Sequence, residues 1–241
     1  MNGELLVLES KEALTEAVAD TFVIEARDAI AQRGTFSIAL SGGNTPKAAY
    51  ALLADERRTA VEWENVHVYF GDERCVPPEH EDSNYKMAFE TLLGHVPILA
   101  RNIHRMHGED EPAHAARAYA QLLIETLGDP PRFDLMLLGM GPDGHTASLF
   151  PGSDPLTDDD RLVRAVYVEK VKSHRLTVTP RVVNHARAVT LAIGGAEKAH
   201  VLREVLHGPQ EPLKYPVQIV APIDGKLTWL VDRDAAAELA S

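Results

Sequence analysis

The chain has 241 residues, 45% of them hydrophobic and 25% charged, with a formal net charge of −12 at pH 7. That size suits one large α/β domain or two small ones, with a core that needs neither disulfides nor metals. The acidic balance argues against a nucleic-acid or anionic-membrane partner, and the one cysteine, Cys75, excludes an intrachain disulfide.

The opening "MNGELLVLES" has no basic region followed by a long apolar run, so no signal peptide is expected. No stretch approaches the roughly 20 apolar residues that cross a bilayer, and a cytoplasmic protein is the expectation. "ALTEAVADTFVIEARDAIAQR" predicts a long amphipathic helix capped by Ser10. A unit then recurs: a short apolar run, a loop, a helical pattern. "FSIAL" leads through "SGGNTP" into "KAAYALLADE", and "VHVYF" through "GDERCVPPEHEDSN" into "YKMAFETLL". "FDLMLLG" leads into "MGPDGHTASLFPG", followed by an acidic stretch, "DPLTDDDR", expected as an exposed loop. "AVTLAI" leads through "GGAEK" into "AHVLREVL", and "KLTWLVD" into "RDAAAELA". The strands are apolar on both faces, as parallel strands covered by helices are. The expected fold is α/β: one domain over residues 1–241, a doubly wound, mostly parallel sheet with helices on both faces. Ligands bind beyond the carboxyl ends of such strands, so the loops that follow them should open on one edge.

Gly139, Gly141 and Gly144 have the G-x-G-x-x-G spacing of a dinucleotide loop. Only "HTASLF" separates Gly144 from Pro151, room for about one to two helical turns, where a βαβ crossover needs roughly 10–12 residues. A carboxylate at Asp143 would also repel a pyrophosphate. The glycines instead let the chain turn tightly and present Asp143 and His145 at the sheet edge. A lone histidine there is ordinarily a helix-start residue bonded to a carbonyl. With Asp143 two residues away it is also a candidate general base.

In "SGGNTP", Ser41, Gly42, Gly43, Asn44 and Thr45 form either an ordinary connection or an anion site. Thr45 is expected as N-cap and Pro46 as the first helical residue. Lys47 follows in the first turn. In "GDER", Asp72, Glu73 and Arg74 are either a surface ion pair or a site in which Arg74 clamps a phosphate and Asp72 bonds a hydroxyl or positions water. A metal held by Asp72, Glu73 and His145 has no supporting spacing. No base adjoins Cys75, which reads as a small packed residue. Lys170, Lys172, His174 and Arg175 gather cations in an acidic chain, either as a solvated edge strand or as the rest of an anion site.

Taken together, "SGGNTPKAAYALL", "VYFGDERCVPPEHEDSNY", "LGMGPDGHTASLFPG", "RLTVTP" and "WLVDRDAAAEL" resemble the motifs of the 6-phosphogluconolactonase family, in order and across nearly the whole chain. The resemblance implies cytosolic hydrolysis of 6-phosphoglucono-1,5-lactone in the pentose phosphate pathway, without metal or organic cofactor; a monomer acting on a small phosphosugar is the expectation. It implies His145 as general base, with Asp72, Arg74 and Arg175 lining the site; in the expected mechanism Asp143 orients His145, and the backbone around Gly141 and Gly144 is a candidate for holding the oxyanion. "KVKSH" stands here where many relatives carry a proline-rich run before that arginine. Glucosamine-6-phosphate deaminases share the D-G-H turn, but they follow it with an Asn-Glu pair where this chain has Ser148, Leu149 and Phe150. They also carry Tyr where this chain has Arg74. A non-catalytic sugar-phosphate sensor is the third reading; it would need a partner-binding module, and the sequence offers none.

Overall fold

A computed structural model describes residues 3–156 and 160–239. Six parallel strands form the main sheet: β1 (Glu4–Leu8), β2 (Phe36–Leu40), β3 (Val66–Phe70), β5 (Leu135–Leu138), β8 (Ala188–Ile193) and β9 (Lys226–Asp232), in the spatial order β1-β9-β8-β5-β2-β3. Sequence and position agree. The inner strands β2, β5 and β8 are buried at every residue, whereas no residue of the edge strand β1 is fully buried. Three further strands, β4 (Asp72–Arg74), β6 (Val163–Val168) and β7 (Ser173–Val178), make a small antiparallel sheet ordered β4-β7-β6.

The helices are α1 (Lys11–Arg33), α2 (Asn44–Asp55), α3 (Asn84–Ala88), α4 (Pro112–Leu127), α5 (Pro180–His185) and α6 (Ala199–His207). Ser10 caps α1 as expected, accepting the Ala13 amide at 3.2 Å. Leu14, Val18, Phe22, Ala26 and Ala29, three or four residues apart, bury one face of that helix. The chain crosses the sheet in one direction from β1 through β2 to β3, then returns through β5, β8 and β9. Right-handed crossovers therefore put α1 and α2 on one face and α4 and α6 on the other, while α3 and the turn Phe89–Leu93 that continues it pack against α2. The direction reverses between neighbours β2 and β5, since β2 is continued by β3 on one side and β5 by β8 on the other. The crevice beyond their carboxyl ends is where such a sheet takes a ligand.

The structure corrects several local expectations. Asp72–Arg74 of "GDER" form a strand, and "SHRLTV" is the centre of the small sheet rather than an edge. Thr45 is not an N-cap: helical geometry begins at Asn44, Gly43 holds the cap position at φ 110°, and no side chain bonds the first-turn amides. Pro46 is accordingly the third helical residue, where its missing N–H still costs nothing. After His145 the chain makes turns and one Thr146–Leu149 bridge instead of a helix, and residues 233–239 form turns as well. Of the expected loop "DPLTDDDR", residues 157–159 lie outside the described residues.

Candidate active site

The crevice is a cleft of about 390 Å³ above β2 and β5. Ser41, Gly42, Gly43, Asn44 and Thr45 line it from β2, Asp72 and Arg74 from β4, Gly141 and His145 from the loop after β5, and Arg175 from β7. Asp143 stands behind His145. Gly144 is not in the lining: it sits at φ 79°, where a Cβ would come within 2.9 Å of the Tyr215 ring. Lys47 does not line the cleft, and Lys172 belongs to a separate depression beside Cys75 and His174.

His145 does not bond a carbonyl through its ring. Its Nδ1 lies 2.5 Å from Asp143 Oδ1, and its backbone amide donates to the same oxygen at 3.3 Å. With Nδ1–H given to the carboxylate, Nε2 is the nitrogen left for the cleft. The pair rests directly on Gly141, where any Cβ would fall 2.1 Å from the imidazole Cε1. Phe150 stacks on the ring, with centroids 4.3 Å apart. Burial raises the Asp143 pKa, but the hydrogen bond and charge of His145, with Lys170 behind them, outweigh it and hold the carboxyl below its ordinary value. Ala147, which also borders the cleft, has φ 47°, a strained backbone for a non-glycine residue.

Asp72 is buried, and each of its oxygens has a partner. Ser148 Oγ donates to Oδ2 at 2.7 Å, and Asn84 Nδ2 reaches Oδ1 at 3.2 Å and the Asp72 carbonyl at 2.9 Å. Glu73 points away from the cleft. Its carboxylate accepts the amides of Arg74, Asn84 and Tyr85 and the Ser83 hydroxyl at 2.7–3.0 Å, tying β4 to the start of α3. Burial nonetheless keeps its pKa raised. The notional metal set of Asp72, Glu73 and His145 is therefore not assembled, and among the described residues no group of three or more His, Cys, Asp or Glu could hold a metal.

Arg74 and Arg175 are register partners across the β4–β7 ladder. Like charges directly opposite one another are unfavourable. The Nε of each is buried without a partner, although an Arg74 Nη1 donates to the Asp82 carbonyl. Burial first, and the Arg74 charge second, lower the Arg175 pKa. Lys170 and Lys198 also line the cleft. Ser41 Oγ is buried there without a partner, beside the uncapped amides of α2. The arrangement is that of an anion site facing a histidine base. Asn84, Ser148 and Lys198 are the cleft residues that sequence reasoning missed; "SNY", the residue three past His145 and the first lysine after "GG" were the available signals.

Residues 9–229 match the family model described as glucosamine-6-phosphate isomerases/6-phosphogluconolactonase. The chain is 42% identical to a 6-phosphogluconolactonase of Synechocystis sp., over 99% of both chains. Its structure resembles 6-phosphogluconolactonase from Trypanosoma brucei, with TM-score 0.86, 29% identity and 99% of each chain covered. A monomeric glucosamine-6-phosphate deaminase shares the fold, with TM-score 0.84 and 22% identity over 98% of this chain and 99% of that one.

Proposed function

The chain belongs to the family of glucosamine-6-phosphate isomerases and 6-phosphogluconolactonases, and from that membership we propose that it hydrolyses 6-phospho-D-glucono-1,5-lactone to 6-phospho-D-gluconate in the oxidative branch of the pentose phosphate pathway. One observation carries the reading from geometry: His145, backed by Asp143, and the Arg74–Arg175 pair line the same cleft. The arginines, Lys198 and the α2 amides hold the phosphate. The lactone carbonyl C1 then lies toward His145.

Neutral His145 takes a proton from water at Nε2 while the water oxygen bonds to C1. Asp143 keeps the imidazole in the required tautomer and balances the charge it gains. Asp72, held by Ser148 and Asn84, bonds a substrate hydroxyl or the water. Backbone amides of the glycine loops stabilise the oxyanion. The C1–ring oxygen bond then breaks, and His145 returns its proton to the departing ring oxygen. The new carboxyl group ionises to solvent.

Phe150 stacked on His145 places an apolar ring where deaminase chemistry would want an acid. This favours the lactonase over the deaminase, and the sensor reading lacks a partner-binding module. The net charge of −12 supports a small phosphosugar rather than nucleic acid as partner, the single cysteine fits a reducing cytoplasm, and family membership supports a reaction without metal or organic cofactor; a single-domain monomer completes the proposal. Purified protein should open freshly made 6-phosphogluconolactone well above its spontaneous rate and release no ammonia from glucosamine 6-phosphate; the reverse pattern overturns the reading.

A further inference from the structure

Lys170 lies on the turn Glu169–Val171 that joins β6 to β7. The ladder is registered up to Val168 and Ser173 on either side, and Lys172 closes the turn at φ 47°, its amide donating to the Glu169 carbonyl at 3.2 Å. The tip therefore carries Lys170 to a set place, over the loop that follows β5. There its Nζ lies 3.4 Å from Asp143 Oδ2, while Oδ1 of the same carboxylate holds His145. The two oxygens of one carboxylate are thus divided between a lysine from one loop and the imidazole from another. Lys170 also lines the cleft, within the "KVKSH" segment that stands in place of the relatives' proline-rich run.

Granting the lactonase reading above, we infer that Lys170 is a positioning residue for the His145 base: it orients the Asp143 carboxylate and offsets its charge, so that His145 stays neutral, and the enzyme active, to lower pH.

The argument is electrostatic. A carboxylate alone beside an imidazole favours the protonated, inactive ring. A lysine on the far oxygen weakens that pull without removing the hydrogen bond that sets the tautomer. The other charged groups on the cleft are Asp72, Arg74, Arg175 and Lys198; Glu169 and Lys172 flank Lys170 on its own turn. Of all these, only Lys170 bonds Asp143 besides His145, among the described residues. Lys170 is 67% exposed, so its effect is that of a screened charge.

The test is the pH profile of kcat/KM on 6-phosphogluconolactone, each variant normalised to its own plateau. In Lys170→Met the acidic limb should move to higher pH by about 0.3–0.5 unit, the size expected of one exposed charge at the edge of a site. Lys170→Arg should restore the parent limb, Lys170→Glu should move it further, and 1 M salt should shrink the Lys170→Met shift. A merely structural lysine would change the plateau and leave the normalised curve alone. Superimposable curves, or a limb moving to lower pH, would overturn the inference. A parent protein with no activity on the lactone would instead overturn the function from which it starts.

Discussion

At the scale of single residues the candidate site rests on His145 and Asp143, whose contact was legible because the two lie two positions apart on a glycine turn. His145→Gln removes the base and should lower turnover by about 10²–10⁴-fold. Calorimetry should still detect 6-phosphogluconate binding, since the cations that hold phosphate remain. Turnover close to the parent's would end the assignment. Cys75 gives the opposite expectation. Burial, with the Glu73 charge adding and the Arg175 charge opposing, pushes its thiol up to about 11. At pH 8 only about one thiol in 10³ is then thiolate, the reactive form. Iodoacetamide should label the folded protein far more slowly than a free thiol, with a rate that climbs toward pH 11, and Cys75→Ser should retain activity. Fast labelling at pH 8 would contradict this account. Ser148 and Asn84 were not legible as partners of Asp72, because only the fold brings the three together.

At the scale of elements, the parallel strands and α1 could be read from apolar runs and a serine cap, whereas β4 could not. Three charged residues show no period, and the partner that makes them a strand lies about a hundred residues on, in β7. The same blindness hid the edge of β3. There Ile103 bridges Val68, and the neighbouring His67 Nδ1 and His104 Nε2 meet at 3.3 Å. Their rings are nearly coplanar, 9° apart with centroids at 5.6 Å, so the nitrogens face each other end to end. One must donate while the other accepts. Tyr69 stacks on His104 from β3, and Arg101 is the nearby cation. Burial, then the His67 charge, push His104 down to about 4, and burial, then Arg101, lower His67. The unfolded chain binds protons that the folded one refuses, so stability is complete above the ordinary histidine value near 6.5 and drains away toward pH 4. His104→Phe keeps the stack and removes that titration. Between pH 7 and pH 5 its melting temperature should fall less than the parent's, by about 2–4 °C. Parallel melting curves across that range would show that the pair does not titrate in this way.

At the scale of the molecule, an acidic protein of net charge −12 has gathered Arg74, Arg175, Lys170 and Lys198 around one cleft. The basic segment before Arg175 announced this in part; Lys198, inside an ordinary-looking helix start, did not. If the cluster exists to hold phosphate, Arg74→Ala should raise KM for the phosphorylated lactone by about 10–100-fold, as loss of a charge-assisted bond does. It should change little for unphosphorylated gluconolactone, and Arg74→Lys should recover part of the loss. An unchanged ratio of kcat/KM between the two lactones would return Arg74 to a structural part. The sheet itself has one further consequence. Among the described residues β1 pairs with β9 alone, from Glu4 beside Thr228 to Leu8 beside Asp232. During synthesis β1 therefore waits for a partner, β9, that lies at the far end of the same sheet's chain order. A chain that stops short of Lys226 carries an unpaired β1 at one end and, at the other, the uncovered edge of β8, apolar but for Thr190. Such an edge is a template for pairing with another strand, so a chain cut before Lys226 should aggregate where the full chain stays dispersed.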